Sequence, residues 1–295
     1  MRADLPLRAA AVLGTLALGC SLHQLLHVEP RKLGPGAWAY LGGGANSLAV
    51  THGVEAFAAD LKQGDEARRQ RRTVEEELGK HVRRILLTHS HRDHWDGLDL
   101  YPDVGVVLVH PRTRNRISAR LRESHRYDAW PWVPVETELR LILGEEEVWI
   151  RWLGAGHTDG DLVAFVPGLK LVATGDLFLA GFEPVADASS GGSLLEMQRT
   201  LDRLLRYDFE QVLPGHGPLA ARADVVATRD YLAAMEAALR DALGRGLSED
   251  AAVEAGEAAL RGRPPLEPVP FLADRAGNLR AMYRELRQTG KSSAR

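Results

Sequence analysis

Five histidines and two aspartates, set in four short clusters, carry the chemistry legible in this sequence. The first cluster is Thr88-His89-Ser90-His91-Arg92-Asp93-His94, directly after the segment 82–87 with its apolar end Ile85-Leu86-Leu87, and it gathers four candidate metal ligands within six residues. The others are Gly156-His157-Thr158, Gly175-Asp176-Leu177 and Pro214-Gly215-His216-Gly217, each just beyond a short apolar or β-branched segment. A strand that stops and hands a ligand to a loop lets a rigid sheet aim side chains at one point. Four such endings point to one shared metal centre. Zinc takes nitrogen and oxygen ligands, and a catalytic site leaves one position for water. His89 and His91 alternate at the exit of a strand, so both can face one ion.

The order His-x-His-x-Asp-His, Gly-His-Thr, Gly-Asp, Pro-Gly-His-Gly resembles the metallo-β-lactamase-fold hydrolases over residues 37–243. Residues 153–216 are most similar to a branch near glyoxalase II and the zinc hydrolases related to the quinoprotein relay proteins. The resemblance implies an α/β fold, a four-layer α/β/β/α metallo-β-lactamase-type sandwich with a helical C-terminal tail. It implies that His89, His91 and His157 bind a first metal, that Asp93, His94 and His216 bind a second, and that Asp176 bridges the two. The ions would be two zincs, with iron or manganese as alternatives. The nucleophile would be metal-bound hydroxide, and Asp93 the catalytic side chain that orients it or takes its proton. Asp60 matches an aspartate that ends an early strand in the family and supports a ligand from behind; the alternative is a strand-end turn carboxylate.

The activity so implied is hydrolysis of an ester, thioester, lactone or amide in a small-molecule substrate. An iron-dependent oxidoreductase on the same scaffold is the second reading, and a non-catalytic binding module the third. The module ranks low because every ligand position is filled. A β-lactamase is secondary, because Asp176 stands where the best-known subgroup of those enzymes carries Cys.

The elements that must position these residues follow from apolar periodicity. Short strands are expected at 46–50 and 54–59, joined through His52-Gly53, then a charged helix over 63–80 and a buried strand at 82–87. A strand at 104–109 and a basic helix over 113–124 precede a loop at 129–134. Strands follow at 139–143, 148–153, 162–166, 171–174 and 211–213. The recurrence of Leu194, Leu195, Met197, Leu201, Leu204 and Leu205 predicts a helix before the last of these. In the proline-bounded loop, Trp130 and Trp132 suggest an apolar gate over the metals, with core packing as the alternative. Asp159 and Asp161 either touch the surroundings of His157 or serve ordinary turn chemistry. His52, His81, His110 and His125 read as solvated or structural.

Composition sets the outer bounds. The 295 residues are 45% hydrophobic and 26% charged with a formal net charge of -3, which gives no electrostatic reason to expect a nucleic-acid partner. The run Arg68-Arg69-Gln70-Arg71-Arg72 before Glu75-Glu76-Glu77 reads as a solvated helix face, with phosphate binding the minor alternative. Residues 9–19 are uncharged and apolar, shorter than the span of about 20 residues that a membrane needs but long enough for a signal-peptide core. Ala17-Leu18-Gly19-Cys20 is similar to a bacterial lipobox, and Cys20 is the single cysteine. The expected organisation is a signal peptide at 1–19, a lipidated tether at 20–36, the metallo-β-lactamase-like domain at 37–243 and a helical extension at 244–295. The implied location is the periplasmic face of a bacterial envelope membrane, with Ser21 favouring the outer one. An ordinary secretory signal or an uncleaved anchor is the alternative. The sequence carries no sign of oligomeric state.

Overall fold

Alternation of apolar side chains along each strand decides the architecture, because successive residues of a strand face opposite sides of its sheet. The structure is a computed structural model that describes residues 28–122 and 130–292. One sheet takes its strands in chain order: Glu29–Gly34 (β1), Ala37–Leu41 (β2), Ser47–His52 (β3), Glu55–Ala59 (β4), His81–Leu87 (β5), Val106–Val109 (β6) and Trp132–Pro134 (β7). Its pairs are antiparallel from β1 to β4 and parallel from β4 to β7. The second sheet contains Glu138–Leu143 (β8), Glu146–Trp152 (β9), Leu162–Val166 (β10), Leu171–Gly175 (β11), Gln211–Pro214 (β12) and Ala220–Ala221 (β13). Its order is β13-β12-β11-β10-β9-β8, with β11 and β12 parallel and the other neighbours antiparallel.

Three apolar clusters follow from this pleat. Leu86 of β5 and Leu162, Ala164 and Val166 of β10 meet between the sheets. Their neighbours Ile85 and Leu87 face outward beneath helices Arg92–Trp95 (α2) and Pro111–Arg122 (α3), with Trp95 and Ile117 in the same cluster. On the opposite side, Val163 and Phe165 pack under Leu194–Leu204 (α4), Arg222–Gly244 (α5), Glu249–Ala259 (α6) and Arg275–Ser292 (α7). The result is the expected α/β/β/α sandwich. In α4, Leu194, Leu195, Met197, Leu201 and Leu204 are buried on one face, and the Ser193 hydroxyl caps the helix by accepting from Glu196 N at 3.1 Å.

Several expectations change. The charged helix is Gly64–Arg72 (α1), and it widens into a π-helical turn at Thr73–Glu77. The tether reading of 20–36 runs too far, because Glu29–Gly34 is the edge strand β1, a position that tolerates Pro30. The gate reading of the tryptophans gives way to packing. Trp130 is buried in the outer cluster with Ile117 and Leu121, and Trp132 is half-buried beside it, their rings 6.1 Å apart. The reason is that Trp132 pairs with Val107, so the loop becomes β7 and extends the sheet under α3. The residues beyond 244 form α6 and α7, whose Ala252, Val253, Leu279, Met282 and Leu286 join Met235 and Leu239 of α5 in one core. Among the described residues, no helix is long and apolar enough to cross a membrane. The signal segment, Cys20 and His125 lie outside the described residues.

Gly97 marks where α1 lies closest to the segment after α2. Its N–H donates to Lys62 O at 3.1 Å, and a Cβ there would meet Leu61 O at 2.5 Å and Ala67 Cβ at 2.8 Å. Gly97→Ala should therefore destabilise the fold by about 1–3 kcal/mol, the usual cost of overpacking. Urea denaturation measures this, and an unshifted midpoint would mean that α1 moves aside without penalty.

Candidate metal centre

The two sheets deliver their ligands to one edge. Parallel β4 and β5 run out together into Asp60 and into the 88–94 loop. In the second sheet, β9 and β11 are both antiparallel to β10 and therefore co-directional, so His157 and Asp176 emerge on the same side. Parallel β12 adds His216 beyond Pro214. Backbone bonds fasten the halves there, with Leu162 N donating to Thr88 O at 2.9 Å and Asn46 N to Gly215 O at 2.7 Å. The Asn46 side chain also donates to Pro214 O and Gly217 O, at 3.0 and 2.8 Å.

All seven residues singled out from the sequence meet at this edge, in two groups. His89, His91, His157 and Asp176 form one, and Asp93, His94 and His216 the other, with the candidate ligand atoms of each within 4.8 Å of one another. Asp176 divides its carboxylate between them. Oδ2 lies 3.8 Å from His89 Nε2 and 3.7 Å from His157 Nε2, whereas Oδ1 lies 3.2 Å from His94 Nε2 and 3.5 Å from His216 Nε2. Asp93 Oδ2 is 3.2 Å from His216 Nε2 and 3.8 Å from His94 Nε2. Tetrahedral ligands about 2.1 Å from a zinc ion stand roughly 3.4 Å from one another. The separations here fit such spheres.

Hydrogen bonding fixes which ring nitrogens point inward. His157 Nδ1 donates to Val185 O at 2.8 Å, and His91 Nε2 faces Asp187 Oδ2 at 3.0 Å. The remaining nitrogens, His157 Nε2 and His91 Nδ1, then face each other at 2.9 Å with a lone pair apiece when both rings are neutral. A cation relieves that opposition. His94 Nδ1 lies 2.7 Å from Asp60 Oδ2, leaving its Nε2 for the cluster. His89 Nε2, His94 Nε2 and Asp176 Oδ1 are buried polar atoms with no hydrogen-bond partner. Such orphans are costly unless something fills the space between them. Burial holds His89 well below the ordinary imidazole pKa and pulls His157 down to about 4, so both are in the neutral, ligating form. Burial also opposes charge on His94, but Asp176, Asp60 and Asp93 outweigh it and hold its pKa well above the usual value. Three carboxylates around one buried ring make a site that favours cations, and the donor set fits zinc.

Asp60 lies behind the His94 ring. Its backbone is left-handed at φ 61°, a conformation Asp tolerates better than most residues. From there one carboxylate accepts from Thr88 N at 2.9 Å and Thr88 Oγ1 at 2.8 Å while it holds His94. Thr88 Oγ1 in turn lies 3.1 Å from His89 Nδ1. Asp161 pins the turn after His157 by accepting from Thr158 N and Oγ1, and burial pushes its carboxyl up to about 7. Asp159 instead pairs with Arg116 at 2.6 Å, away from the ligands. Sequence reasoning missed Val185 and Asp187 as partners of the ligand rings, and no local signal marks either. His52, His81 and His110 belong to neither ligand group; His110 stacks on Trp152 with ring centroids 5.6 Å apart.

Comparison with known proteins agrees with this geometry. The family model described as the metallo-beta-lactamase superfamily matches residues 61–216. The metallo-beta-lactamase type 2 of Bacillus cereus is 24% identical over 161 residues, covering 54% of this chain and 61% of that protein. The hydroxyacylglutathione hydrolase of Cereibacter sphaeroides is 27% identical over 212 residues, 60% of this chain and 79% of that protein. The 2,4-dinitroanisole O-demethylase subunit alpha of Nocardioides sp. is 25% identical over 216 residues, 72% of this chain and 65% of that protein. Among solved structures, the metallo-beta-lactamase from Pontibacter korlensis superposes with a TM-score of 0.57 at 19% identity, over 70% of this chain and 99% of that one. The likeness to that structure is one of fold alone.

Asp176 is the residue on which both groups converge, so its removal should disturb both. If each group holds an ion, Asp176→Ala should lower the metal content and reduce hydrolysis on the order of 10²-fold, in line with loss of an electrostatic catalytic element. Metal analysis of the dialysed variant beside wild type tests this. Two retained ions with full turnover would end the bridging assignment.

Proposed function

The chain belongs to the metallo-β-lactamase superfamily, and from that premise we propose that it is a binuclear zinc hydrolase acting on an ester, thioester, lactone or amide. The observation that carries this reading is the division of Asp176, one oxygen toward each ligand group. Two bound zinc ions would supply Lewis acidity to the scissile carbonyl and ionise a water at neutral pH.

The protein's own residues set the direction of approach and the proton path. His89, His94 and His157 are sealed in, at no more than 1% side-chain exposure, whereas His91, Asp93 and His216 each keep more than a quarter of their side chains open to solvent. Substrate therefore enters over the His91, Asp93 and His216 side. Burial raises the Asp93 carboxyl, but His94 and His216 outweigh it and hold its pKa at about 2, so it stands ionised on that open side. It is placed to orient a water by accepting its hydrogen bond, and a carboxyl held that low would take the water's proton only in passing. His216 Nε2, 3.2 Å away, keeps that carboxylate turned toward the centre. Asp60 and Asp187 hold His94 and His91 from behind, so the rings do not have to reorient as charge develops.

The matched stretch covers 61% of the Bacillus lactamases, and the hydroxyacylglutathione hydrolase likeness extends over more of that enzyme. Acyl thioesters therefore come first and β-lactams second. Protein purified without added metal should carry close to two zinc ions and hydrolyse a thioester, ester or lactone faster than a penicillin or cephalosporin. Preference for the β-lactam would move the assignment to lactamase. Iron with a visible absorption band would move it to the oxidoreductase reading.

We also propose that the mature protein begins at a lipidated Cys20 and is held on the periplasmic face of an envelope membrane, with the outer membrane favoured by Ser21. The support is the Ala17-Leu18-Gly19-Cys20 sequence behind an apolar segment. Cys20→Ala should leave the precursor unprocessed or release it from the membrane fraction. Wild-type protein with no lipid in its intact mass, distributed like the variant, would refute the anchor.

A further inference from the structure

Helix α7 is tied to the surroundings of the metal centre through an intermediate segment, and it holds that segment at both ends. At one end, Asn278 donates to Glu183 Oε2 at 3.2 Å and to Pro184 O at 2.9 Å. The Glu183 carboxylate is buried and also accepts from Tyr231 of α5 at 2.8 Å, with Arg275 at 3.7 Å. At the other end, Glu285 accepts from Ser193 Oγ at 2.5 Å, Leu194 N at 3.1 Å and Leu195 N at 3.3 Å. Its negative charge sits at the positive end of α4. Asn278 and Glu285 are two helical turns apart and share one face of α7.

Between these two anchors lie the outer partners of His91 and His157, two of the three rings of the first ligand group. Val185 O accepts from His157 Nδ1, and Asp187 Oδ2 receives His91 Nε2. The segment is also tied to the His157 loop by Asp187 N donating to His157 O at 2.8 Å and Ser193 N to Gly156 O at 2.9 Å. The second ligand group has a different support: Asp60 holds His94 from β4. The rings of the centre thus hang from different parts of the fold. His91 and His157 lean on the C-terminal extension, whereas His94 and, through Thr88, His89 lean on Asp60 at the end of β4.

We propose that α7 is a strut for the His91 and His157 side of the first ligand group, with Asn278 and Glu285 as positioning residues that set these two rings through residues 183–195. The inference rests on reading those histidines as metal ligands. Loss of the strut leaves the ligands in place but frees Val185 and Asp187 to drift, so the affinity of one ion falls and that of the other does not. A purely structural helix would weaken the fold and treat both ions alike.

The double variant N278A/E285A is compared with wild type and with Leu279→Ala, which removes a fully buried side chain of the same helix outside both anchors. Zinc is titrated against a competing chelator, and cobalt spectra report each site. The expected result is a loss on the order of 10–100-fold in affinity for one ion in the double variant, with the other unchanged. Leu279→Ala should lower Tm and leave both affinities alone. In metal-free protein, the imidazole N–H resonances of His91 and His157 should be sharp in wild type and lost to exchange in the double variant. Unchanged affinities and resonances in the double variant would overturn the proposal, as would equal loss of both ions matched by Leu279→Ala. If wild type takes up no ion, the metal reading fails alone, and the resonances still decide whether α7 holds the rings.

Discussion

The structure depends on a concentration of lone pairs that the fold alone does not satisfy. Five imidazoles and two carboxylates converge where the sheets end, and three of their inward atoms are buried without a partner. Nothing in the apolar clusters offsets that crowding; a positive charge does. The surrounding bonds of four rings run outward, from His94 to Asp60, His91 to Asp187, His157 to Val185 and His89 to Thr88, so that each of these rings is turned with its other nitrogen toward its neighbours. Local polar chemistry is thereby spent on orientation, and the interior is left for the cation.

Much of this was legible in the sequence because ligands that follow apolar runs leave a local trace. The runs that became β10, β11 and β12 are buried on both faces or nearly so, as is Ile85-Leu86-Leu87 at the end of β5, and each carries a short apolar stretch that marks it. Of the strands that were missed, β2 is apolar, Ala37-Trp38-Ala39-Tyr40-Leu41, but too short to declare a period, and β1 and β7 carry little apolar signal at all. β1 is mostly charged or turn-forming residues at a sheet edge, and β7 has three residues including a proline. Edge strands can be polar because one side of their ladder faces solvent, and their pairing is dictated by a neighbour rather than by their own composition.

The supporting partners were not legible for a related reason. Asp60 could be read because it ends a strand as the family pattern requires. Asp187 reaches His91 across 96 positions, and Asn278 reaches Glu183 across 95. Neither residue type is unusual in a turn or on a helix, and nothing nearby announces its partner. Trp130 and Trp132 misled in the opposite sense, since aromatic residues beside proline suit a loop over a site as well as a short strand under a helix. Pairing with Val107 decided the matter.

Each ligand group is a composite of the two sheets' contributions. His89 and His91 come from the first and His157 and Asp176 from the second; Asp93 and His94 come from the first and His216 from the second. The chain passes between these halves once, between β7 and β8. Severed there, it would give two fragments, neither of which owns a complete coordination set. Reassociation through the apolar cluster between the sheets would complete both sets at once, and the cation would add to the recognition between two incomplete proteins rather than be a guest in a finished one.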